Sequence, residues 1–250
     1  MHAIILAAGV GERLGTLFGG RPKCLLEMDG RTLLARHFDA LNDLGIRTIS
    51  VVTGFQSTLV DAEVKRLNTG TETKTLFNPD YRSGSIVSLW TARSTLASGR
   101  ALLLMDADVL CHPDILRALV ETREQNCLLI DRAFEPGDEP VKVCVKAGRV
   151  VEFRKQIAAD IKFDWQGESV GFFRFNADTG IALAERTQRY IDDGRQSEPY
   201  EEAIRDLVLG SPDRFGFEDI SGLPWIEIDF PGDVDRARHE ILPRLSGAVN

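Results

Sequence analysis

The sequence predicts an α/β fold, a mostly parallel sheet covered by helices on both faces. Three observations predict it. Continuous apolar or β-branched runs of strand length alternate with amphipathic stretches through the first half of the chain. The first run opens into a glycine-rich loop, and a later run closes on two aspartates.

Residues 3–7 read as the first buried strand. The loop after it, Ala8-Gly9-Val10-Gly11, has glycines where a backbone must approach a ligand or adopt positive φ. Strands are expected at 48–53, 73–77, 101–105 and 127–131, separated by helical stretches near 32–43, 57–67, 86–97 and 113–123. After Asp131 the rhythm changes. Residues 141–145 and 149–153 flank Lys146-Ala147-Gly148, which predicts a β-hairpin. Amphipathic stretches near 177–192 and 199–209 predict two helices, the first closed by Asp192-Asp193-Gly194. No repeat, low-complexity tract or Pro/Gly/Ser-rich linker interrupts this order, so one domain over 1–250 is expected, with halves at 1–131 and 132–250.

With 250 residues, 43% of them hydrophobic, the chain can bury a sizeable core. Its longest apolar runs fall far short of the ~20 residues a membrane span needs, so no membrane insertion is expected. The N-terminus enters the first strand without the features of a secretory peptide, which points to a cytoplasmic protein. Cys24, Cys111, Cys127 and Cys144 form no Cys-x-x-Cys pair and read as reduced, packed thiols, and the four scattered histidines suggest no zinc site. A net charge of −8 argues against nonspecific nucleic-acid binding. An anionic substrate would therefore need local cations or a metal.

The glycine-rich loop supplies such cations. A dinucleotide fingerprint would need a third glycine where Leu14 stands, and no Gly-Lys-Ser/Thr phosphate loop occurs. What remains is a phosphate loop with its own arginine, Arg13, and Lys23 ten residues on. Arg13 can fork onto a triphosphate, and Lys23 is a compact point charge; a βα turn with surface cations is the plainer alternative. Asp106 and Asp108 end an apolar run at the strand's carboxyl edge, where open α/β sheets bind ligands. Glu227 and Asp229 repeat the period-two spacing, and such carboxylates suit Mg²⁺. Asp233 and Asp235, at the start of the final helix, suit capping instead.

Leu6-Ala7-Ala8-Gly9-x-Gly11-x-Arg13 with Arg21-Pro22-Lys23 resembles the nucleotidyltransferases that join a nucleoside triphosphate to a sugar phosphate or alcohol phosphate and release pyrophosphate. Later segments look like the phosphocholine cytidylyltransferase branch. They are Asn78-Pro79-x-Tyr81 leading to Ser88-Leu89, Glu135-Pro136-Gly137-Asp138-Glu139-Pro140, Gly167-Glu168-x-x-Gly171-Phe172 and Trp225-x-Glu227-Ile228-Asp229. The resemblance implies a Rossmann-like, mostly parallel mixed sheet sandwiched by helices, with an inserted β-hairpin and helical acceptor-side region. It also implies a triphosphate site at Leu6, Ala7, Ala8, Gly9, Gly11, Glu12, Arg13 and Lys23, with Asp106 nearby. Asp108 and Asp229 align with the metal aspartates, Lys155 with the lysine that binds the attacking phosphate, and Glu168 with the acceptor-binding glutamate.

Ser83, Gly84 and Ser85 are candidates to read the base, or else an ordinary turn and helix cap. Cytidylyltransferases of the branch often carry asparagine in this segment, where this chain has Gly84 and Ser85; that departure weakens the choice of CTP, which leads while UTP and dTTP stay open. Tyr200 and Trp225 are candidate walls for a choline-like acceptor, or else core residues. The expected reaction is Mg²⁺-dependent transfer from CTP to a small phosphorylated alcohol, with phosphocholine as lead acceptor. Aminoethylphosphonate, inositol 1-phosphate and sugar 1-phosphates are alternatives, as is a noncatalytic nucleotide-sensing subunit. The sequence leaves homo-oligomerisation open.

Overall fold

A computed structural model describes residues 1–18, 20–68 and 70–245 of the protein. The apolar runs fold as strands because their side chains leave water on both faces. In chain order the first half contains β1 (His2–Ala7), β2 (Glu27–Met28), β3 (Arg31–Thr32), α1 (Leu33–Asp43), β4 (Thr48–Thr53), α2 (Ser57–Leu67), β5 (Glu72–Phe77), α3 (Ser85–Thr91), α4 (Arg93–Leu96), β6 (Leu102–Asp106), β7 (Val109–Cys111), α5 (Pro113–Glu121) and β8 (Cys127–Asp131). The second half adds β9 (Lys142–Lys146), β10 (Arg149–Arg154), β11 (Trp165–Phe175), α6 (Ala177–Asp192), α7 (Tyr200–Gly210), β12 (Gly216–Asp219), β13 (Trp225–Glu227) and α8 (Pro231–Arg236).

The main sheet runs β10-β9-β11-β6-β1-β4-β5, with β8 joined to β11 and β12 to β8. β1 lies between β4 and β6 and is parallel to both, pairing Leu6 with Val52 on one side and Asp106 on the other. β5 extends this set in parallel. The carboxyl ends of four strands therefore share one edge, which collects the glycine loop, Gly54, Asn78 and Asp106 to Asp108. Apolar clusters pack the two faces, one around Phe153, Phe173 and Phe175 and the other around Phe38, Met105 and Phe172.

β11 has no counterpart in the expected strand set. It enters antiparallel between β6 and its other neighbours β8 and β9, and thus makes the sheet mixed. Its register shifts between Ser169 and Phe173, and Gly171 takes φ 78° within that irregularity. The helix expected over 86–97 is two short helices, because the chain tightens at Ala92, whose N–H bonds Leu89 O at 3.0 Å.

The expected hairpin is β9 and β10. Ala147 and Gly148 have φ 48° and 75°, the double left-handed geometry of a tight hairpin turn. α7 is fixed over β10 by two ion pairs, Arg154 with Glu202 at 2.8 Å and Arg205 with the buried Glu152. Pairing offsets the cost of burying these acids and sets where the N-terminus of α7 points.

Alanine in the left-handed region is strained where glycine is not. Ala147→Gly should therefore raise the unfolding free energy by up to about 1 kcal/mol, after the entropic cost of glycine, as read by urea denaturation.

Candidate active site

The loop after β1 keeps its backbone free of side chains. A Cβ on Gly9 would meet nothing within 4 Å, whereas one on Gly11 (φ 67°) would sit 2.9 Å from Lys23 Cγ. Gly11 therefore allows both the turn and the passage of Lys23 beneath it. Leu6, Ala7 and Ala8 line the base of the loop through their backbone: Leu6 O accepts from Ala107 N–H at 3.2 Å and Ala8 O from Phe55 N–H at 3.1 Å. Glu12 faces outward, paired with Arg82 at 3.1 Å.

Lys23 reaches the acids. Its Nζ donates to Asp108 Oδ2 at 3.1 Å and to Asp229 Oδ1. Burial alone would lower the Lys23 ammonium, but Asp108 and Asp229 outweigh it and hold its pKa above the ordinary value. Asp108 follows β6, and the pairing of β7 with β13 brings Glu227 and Asp229 beside it. Among the described residues, Asp108, Glu227 and Asp229 place one carboxylate oxygen each within 4.8 Å of one another. Three hard oxygen donors at that spacing could hold a divalent cation. Asp233 steadies the group by accepting from the N–H of Asp229 at 2.9 Å and of Phe230 at 2.7 Å.

Asp106 stands behind this group. Its Oδ2 accepts from Tyr200 OH at 2.6 Å, and burial, then Asp108, pushes its carboxyl well above the ordinary range. Gly171 makes room for it, since a Cβ there would overlap Asp106 Oδ2. The Tyr200 ring packs edge-on against Phe173, so only its hydroxyl faces the site.

Ser83 N–H donates to Asp80 O at 2.9 Å, while Gly84 and Ser85 meet the chain at the start of α7. Ser85 Oγ accepts from Tyr200 N–H at 2.9 Å, Ile86 N–H donates to Glu198 O at 3.2 Å, and a Cβ on Gly84 would overlap Gln196 O. These contacts take up much of the segment's polar capacity in holding α3 against α7.

On the far side a cavity of about 630 Å³ is lined by Asp131, Phe134, Glu168, Trp225, Glu227 and Phe230, among others. Trp225 Nε1 donates to Asp131 Oδ2 at 2.8 Å. Glu168 lies opposite Asp131 in the sheet, and burial, then Asp131, pushes its carboxyl up to about 7. Lys155 is half exposed and reaches Glu139 Oε2 at 3.1 Å, and Arg13 reaches the same oxygen at 2.9 Å.

Residues 3–161 match the family described as MobA-like NTP transferase domain. The chain belongs to that family. The MobA-like chain is 27% identical over 254 residues to CMP-5'-(3-aminopropyl)phosphonate synthase of Streptomyces rubellomurinus, covering 97% of this chain and 39% of that protein. It is 24% identical to CTP:phosphoglutamine cytidylyltransferase of Campylobacter jejuni, over 94% of this chain and 98% of the other. Its fold matches that of the inositol-1-phosphate CTP transferase from T. maritima with a TM-score of 0.78 and 20% identity, covering 100% and 97% of the two chains. Among the described residues of this MobA-like chain, no helix is long and apolar enough to cross a membrane.

The structure brings Glu227 to Asp108 and Asp229 and adds two further acids, Glu139 and Glu201, to the residues singled out from sequence as site candidates. Glu227 had the same period-two signal as Asp106 and Asp108. Glu139 sits in a polar loop, and one of its two partners, Arg13, is distant in sequence. Glu201, with its Oε2 buried and unpartnered, is raised to about 7 by burial, and only the placement of α7 brings it inward.

Gly171→Ala should cost about 2–4 kcal/mol of stability through left-handed strain and displacement of Asp106. Chemical denaturation reads this loss, and a value near zero would show that Asp106 can turn aside freely.

Proposed function

We propose that the protein is a Mg²⁺-dependent cytidylyltransferase that joins CTP to a small phosphorylated alcohol with a cationic head, phosphocholine first among them. Residues 1–131 hold the nucleotide and 132–250 the acceptor. The observation that carries this reading is the convergence of Asp108, Glu227 and Asp229 with Lys23 under the glycine loop, at the carboxyl edge of the parallel strands. Its support from relatives is that two proteins similar to this chain are named for cytidylyl products or CTP.

In this reading Asp108 and Asp229, with Glu227, would hold Mg²⁺ against the nucleotide's phosphates, where the ion supplies charge neutralisation and a template for alignment. The open backbone at Gly9 and Gly11 admits the triphosphate, and Arg13 forks onto it. Lys23 leaves its carboxylate partners for phosphate oxygens, and Lys155 draws in the acceptor phosphate. An acceptor phosphate oxygen attacks the α-phosphorus in line, and the bond to the bridging oxygen breaks with its electron pair leaving on pyrophosphate. Arg13 and Lys23 stabilise the charge that develops on the departing oxygens. No general base is needed, because the attacking oxygen is already anionic at neutral pH.

The acceptor cavity supports a cationic head group. Asp131 and Glu168 supply negative charge, and Trp225, Phe134 and Phe230 supply rings beside it.

The test is pyrophosphate release over a grid of nucleotides against phosphocholine, aminoethylphosphonate, inositol 1-phosphate and sugar 1-phosphates. A signal confined to CTP with an amine or ammonium acceptor is the expected result, and a sugar phosphate signal would overturn the acceptor. Asp108→Asn should lower kcat/KM by at least about 100-fold and weaken Mg²⁺ binding in calorimetry, while circular dichroism stays native.

Glu168 gives a pH dependence of known sign. Its folded pKa lies above the unfolded one, so the stability it contributes is complete below the unfolded value and lost as pH rises through about 7. A cationic acceptor favours the carboxylate, so KM for phosphocholine should fall as pH rises from about 6 to about 8. Glu168→Gln should flatten that profile, and an unchanged profile would remove Glu168 from the acceptor site.

A further inference from the structure

The geometry points to Glu139 as an internal stand-in for substrate phosphate, a carboxylate that holds the nucleotide-side cation Arg13 and the acceptor-side cation Lys155 until both substrates displace it. Arg13 Nη1 lies 2.9 Å and Lys155 Nζ 3.1 Å from one and the same atom, Glu139 Oε2. Two cations from distant parts of the chain thus converge on a single anionic oxygen. This inference rests on the proposed function, in which Arg13 meets the triphosphate and Lys155 the acceptor phosphate, so that the two phosphates meet where Oε2 now stands.

The rest of the site is neutralised in the same way. Lys23 is satisfied by Asp108 and Asp229, and Arg13 has a second, longer contact to Asp229 at 3.5 Å. Glu139 differs from those acids because it belongs to the segment between β8 and β9. Lys142 Nζ ties that segment to the acceptor side by donating to Gly137 O at 2.6 Å and to Lys155 O at 2.7 Å. Arg236 holds the segment's other end through Glu135 at 3.3 Å. The acid and one of the cations it occupies are thus linked through a single lysine, and release of Glu139 moves a segment that walls the acceptor cavity.

A carboxylate shared by two cations couples them. Whichever substrate binds first bears the cost of displacing Glu139, and the second then meets a cation already free. By linkage the coupling is reciprocal. The side chains of Arg13, Glu139 and Lys155 are each about half exposed, so solvent screens the contacts and the coupling is modest, about fivefold.

The experiment measures Kd by calorimetry, with Mg²⁺ present, for α,β-methylene CTP and for phosphocholine, each alone and with the other saturating, in the wild-type protein and in Glu139→Gln. The wild type should bind each ligand about fivefold more tightly when the other is present. Glu139→Gln should bind each ligand alone several-fold more tightly and lose the mutual enhancement, an effect that a merely structural residue would not produce. Wild-type binding without mutual enhancement, or enhancement retained in the variant, would overturn the inference and leave the cytidylyltransferase reading standing. Failure of both proteins to bind the CTP analogue would overturn that reading and the inference with it.

Discussion

The site depends on one constraint: several carboxylates share a concave edge of a protein with net charge −8, and something cationic must stand among them. Lys23 does so from within the chain. Because Gly11 has no Cβ, the Lys23 side chain can cross under the loop, and because β7 pairs with β13, Asp229 can meet it from the far side. The glycine loop, the end of β6 and the strand before α8 are therefore joined by ion pairs at the place where the parallel strands end. In the proposed function a ligand phosphate together with a divalent ion would replace this arrangement with another of similar charge balance, so binding need not leave any carboxylate uncompensated.

Neutralisation also explains how the mixed sheet accepts acids so near its core. β11 brings Gly171 against Asp106 and Glu168 opposite Asp131, and α7 brings Tyr200 to the Asp106 carboxyl. Neither strand nor helix could hold these positions alone. The Arg154–Glu202 and Arg205–Glu152 pairs fix α7 to β10, which belongs to the same sheet as β11. Packing on one face of the sheet thereby sets the hydrogen bonding at its edge.

The parallel half was legible in the sequence because its inner strands are apolar or β-branched runs bounded by turn residues, as in residues 48–53 and 102–105, and its edge strand at 73–77 keeps threonines and a Leu-Phe end. β11 was not, because Gly167, Glu168, Ser169 and Gly171 break its alternation and the register shift turns its side chains part-way along. Lys23, Asp108 and Asp229 could be picked out because they sit in short patterns next to readable strands. Glu139 and Glu201 could not, since Glu139 meets Arg13 across more than a hundred residues and Glu201 is turned inward only by the seating of a helix. Ser83 to Ser85 show the converse. Their polarity suggested ligand contact, and the structure shows that Ser85 Oγ accepts from Tyr200 N–H while Ser83 N–H donates to Asp80 O, a packing role the sequence did not reveal.

The acids of the site fall into two groups by environment. Asp108 and Asp229 face Lys23 and retain some exposure, whereas Asp106, Glu168 and Glu201 are desolvated and their carboxyls are raised. A raised carboxyl is often read as a general acid or base. In the proposed reaction, attack by a phosphate oxygen would require no proton to be removed, and pyrophosphate would leave as an anion beside Arg13 and Lys23. The raised acids are therefore free for other work. Asp106 hydrogen-bonds Tyr200, and Glu168 stands in a cavity with Asp131 and Trp225, where under the proposed function a cationic head group would favour its charged form. Under the proposed function Asp106 and Glu168 would then serve shape and recognition, while Lys23 and Arg13 at the edge act on the phosphates.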